Sequence, residues 1–124
     1  MMEPKFRYGL EGEYMLVEAD SFRPLWLHDL SFDRVNRLLE RIDYEPAIEG
    51  LTLAGLELDP PHKKLMPYYV EGYALADEGL ATNVDILPKG VEIRTPVCPD
   101  LETCLRVYER LYEKLQRSLA DENL

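Results

Sequence analysis

Residues 6–17, FRYGLEGEYMLV, alternate between apolar and charged or small side chains as a half-buried strand does. Successive side chains of a strand point to opposite faces, so the apolar residues share a face suited to a core: Phe6, Tyr8, Leu10, Tyr14 and Leu16. Arg7, Glu11 and Glu13 share the other face. The pattern therefore predicts a strand with one buried side and two neighbouring carboxylates on the other.

The pairing of Glu11 with Glu13 has two explanations, because carboxylates two residues apart on one strand face repel each other. A bound cation would remove the repulsion, and Mg²⁺ often takes only one or two protein carboxylates beside phosphate oxygens. Alternatively, the two acids lie on the solvated outer face of an edge strand. Taken alone, this stretch favours the solvated face.

Composition predicts one folded domain over residues 1–124, with 46% hydrophobic and 10% aromatic residues. The formal charge of −10 argues against a nucleic-acid or membrane partner and suits a protein that binds cations. Cys98 and Cys104 form no metal-ligand pattern and are expected to be reduced thiols. With no signal peptide and no apolar run of membrane-spanning length, a cytoplasmic location is expected.

Two helices are predicted from capping residues and apolar spacing. Ser31 is a good N-cap for a helix over Phe32–Ile42. Asp100 caps a longer final helix whose apolar residues recur at helical spacing. These residues are Leu101, Cys104, Leu105, Tyr108, Leu111, Tyr112, Leu115 and Leu119.

The other patterns predict strands. Residues 6–17 and 23–27 form a hairpin, while Leu51–Leu58 and Tyr68–Tyr73 form further strands. Two extended pieces within Val84–Val97 surround a turn at residues 87–90. The predicted fold is α+β: a mostly antiparallel sheet of four or five strands with two helices on one face.

Glu92 lies on a predicted strand whose other face carries Val91, Ile93, Thr95 and Val97. Asp85 precedes Glu92 by seven residues. If these strands pair with the first, the carboxylates converge on the sheet face that the helices leave open, where they could hold two divalent ions. Arg94 shares the face of Glu92 and offers a two-pronged donor to a carboxylate or phosphate, or an ion pair with Glu92 or Glu11.

The segment GLEGEYMLV, followed by VDILPKGVEIRTPVC and a long amphipathic helix, resembles the N-terminal part of the glutamate–cysteine ligase family. The resemblance lies in a G-x-E-x-E strand from Gly9 and a D-x₆-E-I-x-T-P-V run from Asp85, in that order. Gly12 stands where many members carry a further Glu. The family is part of the carboxylate–amine ligase superfamily.

The resemblance implies half of a glutamine-synthetase-like catalytic sheet. It also implies ATP-dependent joining of an amine to the carboxylate of an amino-acid substrate through an acyl phosphate, with Mg²⁺ or Mn²⁺. By matching positions, the implied metal ligands are Glu11, Glu13, Asp85 and Glu92. Family enzymes are longer, so activity is expected to need a missing C-terminal half, a complementing chain or a second copy.

Other functions stay open at this point. The chain could be a non-catalytic family remnant that serves as a binding or regulatory module, or another metal-dependent phosphate-processing enzyme. Glu71 is a further candidate ligand if its side chain faces the acidic side of the sheet. His62 could contact a metal or phosphate, although a surface-loop histidine is the simpler interpretation.

Overall fold

The structure, a computed structural model, describes residues 7–25, 27–53, 56, 66–76 and 84–124. Its strands are β1 (Glu11–Tyr14), β2 (Leu16–Val17), β3 (Pro24–Leu25), β4 (Tyr68–Ala76) and β5 (Val84–Arg94). Its α-helices are α1 (Phe32–Glu40) and α2 (Leu101–Asp121), and short 3-10 helices span Leu27–Asp29 and Glu45–Ile48. The α+β class and the antiparallel pairing are as predicted.

The main sheet has three strands in the order β1-β5-β4, and both pairings are antiparallel. Its central strand, β5, aligns Glu92 with Glu13 on one side and with Tyr69 on the other. A separate two-stranded sheet joins β2 to β3. The described strands therefore form two small sheets and not the single sheet of four or five strands that the sequence patterns predicted.

The first predicted strand is divided at Met15. Leu16 is 3% exposed and pairs with Leu25, while Met15 is 58% exposed and lies between the two sheets. The hairpin within residues 6–27 is thus confined to β2 and β3, because β1 pairs with β5 instead. Alternation continues on both sides of Met15, which is why the sequence pattern conceals the break.

The turn predicted at residues 87–90 is wrong: β5 is one continuous strand with a bulge there. Gly72 lies opposite Pro88 and Glu71 lies opposite Gly90, which leaves Lys89 as the extra residue. A bulge accommodates a proline inside a ladder because the inserted residue already interrupts the regular hydrogen bonding.

The strand predicted over Leu51–Leu58 is not present in its described part. Leu51, Thr52, Leu53 and Leu56 belong to no strand, and the Leu56 amide donates to the Leu53 carbonyl at 3.1 Å, as in a turn. Leu56 is nevertheless buried. A short apolar run can fill a core without joining a ladder.

Both helices pack into one core with the apolar face of the main sheet, formed by Tyr68, Val70, Val91 and Ile93. The Tyr68 hydroxyl donates to the Leu111 carbonyl of α2 at 2.7 Å. Helix α1 ends two residues before its predicted end, at Glu40.

The predicted caps are confirmed. The Ser31 hydroxyl accepts from the Arg34 amide at 3.2 Å, and the Asp100 carboxylate accepts from the Thr103 amide at 2.7 Å. The buried stripe of α2 is rotated slightly from the predicted one, since Val107 is buried while Leu101 is half exposed. In the described ranges, no helix combines the length and apolarity needed to cross a membrane.

Candidate metal centre

The face of the main sheet opposite the core carries four glutamates, one from β4, two from β1 and one from β5. Residues aligned across antiparallel strands project to the same side, and the register aligns Glu11 with Arg94 and Glu13 with Glu92. Glu71 lies one strand over, opposite Gly90. We call this surface the acidic face and define it by Glu11, Glu13, Glu71, Lys89, Glu92 and Arg94.

Three of these carboxylates converge. One oxygen from each of Glu13, Glu71 and Glu92 lies within 4.8 Å of the others. Ligands on opposite sides of Mg²⁺ are about 4.2 Å apart, and those of Ca²⁺ about 5 Å, at the usual metal–oxygen distances. The three oxygens could therefore close around a divalent cation by small side-chain movements. An all-oxygen donor set suits a hard cation of this kind.

Glu92 is the buried member of the cluster, with 8% of the residue exposed. Loss of solvation raises the pKa of its carboxyl to about 7, and the negative charges of Glu11 and Glu71 act in the same direction, against the opposing charge of Arg94. Within the part of the chain that the structure describes, no hydrogen bond or ion pair reaches this carboxyl. A cation at the cluster would add to the stabilisation that the charge of Arg94 gives the ionised carboxyl.

Glu71 and Glu13 are held by a different group, the Lys89 ammonium. Its Nζ lies 3.9 Å from Glu13 Oε2 and 3.9 Å from Glu71 Oε1. Burial and the charge of Glu13 raise the pKa of Glu71, while Lys89 acts to lower it. A cavity of about 200 Å³ adjoins this group and is lined by Glu13, Tyr14, Met15, Glu71, Lys89 and Gly90.

Arg94 lies beside the cluster with part of its donor capacity unused. Its Nη2 donates to the Leu56 carbonyl at 3.3 Å, and its guanidinium lies 5.4 Å from the centre of the Tyr69 ring. Its Nε is buried, and no acceptor among the described residues reaches it. The phosphate-binding role for Arg94 stays a prediction that this geometry allows.

The structure brings together some of the predicted site residues and separates others. Glu13 and Glu92 join the cluster, and Glu71 is its third member. Glu11 lies on the same face but outside that trio. Asp85 is aligned with Leu75, four residues beyond Glu71 along β4. That offset is roughly 13 Å at the rise of a strand, and the side chain of Asp85 lies outside what the structure describes.

Gly12 has a packing reason for lacking a side chain. Its Cβ position faces α2, where it would overlap the Tyr108 hydroxyl. A glutamate at this position would therefore point into the core and not onto the acidic face.

Lys89 is the site residue that sequence reasoning missed, because its neighbours Pro88 and Gly90 suggested a turn. The weak sequence signal for its role was the position of a lysine between Asp85 and Glu92. His62 lies outside the described residues.

Another hollow, of about 520 Å³, is lined by Arg34, Arg37, Glu40 and Arg41. Two of its arginines have local partners. Arg37 Nε donates to the Asp33 carbonyl at 3.1 Å, and Arg41 lies 3.5 Å from the Glu122 carboxylate. This surface of α1 is thus an ordinary solvated helix face.

No protein-family model, curated protein or solved structure matches this chain. The acidic face is therefore the feature of the molecule that indicates a function.

Proposed function

We propose that the acidic face binds Mg²⁺ or Mn²⁺ through Glu13, Glu71 and Glu92, and that the chain acts with ATP as a carboxylate–amine ligase-like protein. The observation that carries the proposal is the convergence of these three carboxylates around one point, with Glu92 buried and without an ion pair or hydrogen bond among the described residues. Burial and the neighbouring negative charges disfavour the ionised carboxyl of Glu92, and a bound cation would offset both effects.

The residues would divide the work as follows. The three glutamates hold the cation, and Arg94, which lies on the same face, donates to a phosphate oxygen through its guanidinium. When bound, the cation neutralises the charge that develops on the phosphoryl group during transfer. Glu11 is proposed as a further ligand of this cation, and Asp85, roughly 13 Å further along the ladder, as a ligand of a second cation.

The proposed reaction has two steps. A carboxylate oxygen of the amino-acid substrate takes the γ-phosphoryl group of ATP, and ADP leaves. The amine nitrogen then attacks the acyl carbon, and inorganic phosphate leaves as the amide bond forms. These steps follow from the resemblance of the two motifs to the ligase family, and the acidic face supplies the cation-binding part of the chemistry.

A second polypeptide is part of the proposal. In the described residues, the acidic face offers only Lys89 and Arg94 as cations, which is few for a nucleotide and an amino-acid substrate together. Strand β1 lies at an edge of the main sheet. An edge strand presents unpaired backbone groups that can pair with another chain, so a complementing chain or a second copy would extend the sheet there.

The proposal is tested by titrating Mn²⁺, and then MgATP, into the wild-type protein in a calorimeter at about pH 8. Glu71→Gln and Glu92→Gln should each weaken Mn²⁺ binding at least about tenfold, since even outer-shell changes have effects of that size. Glu109→Gln, an exposed change of the same kind on α2, should leave binding unchanged.

Two further outcomes separate the parts of the proposal. Failure of Mn²⁺ to bind the wild type, or equal binding by all four proteins, would refute the metal centre. Binding of Mn²⁺ and MgATP without ADP release that depends on an added amine would refute the ligase reaction and favour a binding or regulatory module.

A further inference from the structure

We propose that Lys89 is the counter-ion that a divalent cation displaces from the acidic face, and that its ammonium then binds the phosphate group that accompanies the cation. The inference rests on the proposed function and extends it, because it assigns Lys89 a role at the same site. It also makes the site selective for a metal–phosphate complex over the metal alone.

The position of the ammonium supports the first half of the proposal. Lys89 Nζ is equidistant, at 3.9 Å, from oxygens of two of the three clustered carboxylates. Both distances exceed those of a hydrogen bond, for which N···O is about 2.7–3.2 Å. The ammonium is thus held by charge and not by close bonding, and its side chain is 38% exposed. It can leave without breaking a tight contact.

The backbone of Lys89, in contrast, is fixed. Lys89 is the extra residue of the β5 bulge, and its neighbour Pro88 is fully buried. Gly90 is packed so closely on the carbonyl of Tyr14 that a Cβ would overlap it. Displacement therefore moves only the side chain, and the length of that side chain limits how far the ammonium can move from the cluster.

Glu92 provides a separate reason for expecting a cation. It is more than nine-tenths buried, and its oxygen is directed into the cluster. The ammonium bridges Glu13 and Glu71, and no ion pair with Glu92 is present among the described residues. Lys89 and Arg94 thus bring two positive charges to a face that carries four carboxylates, and a divalent ion placed among the three clustered ones would balance the excess.

Phosphate binding by Lys89, the second half of the proposal, follows because the side chain is attached to a fixed backbone beside the cluster. A cation at the cluster repels an ammonium that cannot move far away. A phosphate between the two relieves that repulsion, and lysine binds phosphate as a point charge. Lys89 should therefore oppose the binding of a bare cation and favour the binding of a cation with phosphate.

The test compares Lys89→Met with the wild type in two calorimetric titrations, one with Mn²⁺ alone and one with Mn²⁺ and pyrophosphate together. Lys89→Met should bind Mn²⁺ alone about 1.5- to fivefold more tightly and the Mn²⁺–pyrophosphate complex about 1.5- to fivefold more weakly, the range expected for one partly exposed ion pair. Lys114→Met on α2, which makes the same change of net charge, should alter neither titration.

Other results would overturn the proposal or isolate its failure. Equal affinities of Lys89→Met and the wild type for both ligands would refute the role of Lys89 while leaving the metal centre intact. If no protein binds Mn²⁺, displacement is refuted together with the proposed function. The pairing itself is then decided in metal-free protein at low salt: the effects of Lys89→Met and Glu71→Gln on the midpoint of thermal unfolding should be non-additive, and additive effects would refute it.

Discussion

Glu92→Gln is expected to stabilise the metal-free protein, and to do so only above the pH at which Glu92 ionises. The pKa of the Glu92 carboxyl rises from an ordinary 4.5 to about 7 in the folded state. The folded chain therefore binds more protons than the unfolded chain between these values, so the free energy of unfolding falls as pH rises through that window. At 1.36 kcal/mol per pKa unit, the full loss is about 3 kcal/mol.

Glutamine has nearly the shape of a protonated glutamate and does not ionise. The variant and the wild type should thus differ little in stability at about pH 4.5, and the variant should be more stable by about 3 kcal/mol at about pH 8. The remaining acids titrate in both proteins, so the difference between the two isolates Glu92 and its coupling to Glu11, Glu71 and Arg94.

Urea unfolding followed by far-ultraviolet circular dichroism at several pH values measures the difference directly. Glu109→Gln, exposed on α2, is the control and should shift stability equally at every pH. A Glu92→Gln effect that is constant within about 0.5 kcal/mol from pH 5 to pH 8 would refute the reasoning, because it would mean that the buried carboxyl has an ordinary pKa.

Two further predictions test the packing that positions the site. Gly90→Ala should destabilise the protein by about 2 kcal/mol or more, because the new Cβ overlaps the Tyr14 carbonyl. The control, Gly9→Ala, should be nearly neutral, because the nearest atom to the new Cβ is 3.8 Å away. Equal urea midpoints for the two variants would contradict the prediction for Gly90. Tyr68→Phe should remove about 1 kcal/mol by breaking the buried hydrogen bond to the Leu111 carbonyl. In the matched change Tyr112→Phe, the lost hydroxyl accepts from Gln116 on the surface, so the free energy of unfolding should fall by less. A larger fall for Tyr112→Phe than for Tyr68→Phe would refute the stabilising role of the buried hydrogen bond.

The acidic face could be predicted from the sequence because alternation alone determines which residues of a strand share a side. Once β1 and β5 pair, Glu13 and Glu92 must project together. The helix caps were equally accessible, since Ser31 and Asp100 act through groups only three residues away. Local chemistry therefore accounts for the elements and for the choice of faces.

The pairing between segments that are distant in the sequence could not be predicted in the same way. That Glu71 reaches the cluster depends on the register of β4 against β5, and a sequence does not state which residues align. The bulge at Lys89 has the same origin. Pro88-Lys89-Gly90 suits a turn as well as it suits a bulge, and the choice is made by whether β4 continues alongside. Met15 likewise divides a strand only because its neighbours pair with different partners.

The two explanations for the paired acids make opposite demands on one variant. If the acidic face is only a solvated surface, Glu92→Gln should have little effect on the pH dependence of the free energy of unfolding or on cation binding. In a metal centre, the same change should raise the stability of the metal-free protein. At one hundred times the wild-type dissociation constant, it should also lower the stabilisation by Mn²⁺ from about 2.7 kcal/mol to about 1.4 kcal/mol or less. A residue whose replacement stabilises the metal-free protein and weakens cation binding contributes to binding and not to stability. The buried position of Glu92 among Glu13 and Glu71 makes that opposition of signs the expected result.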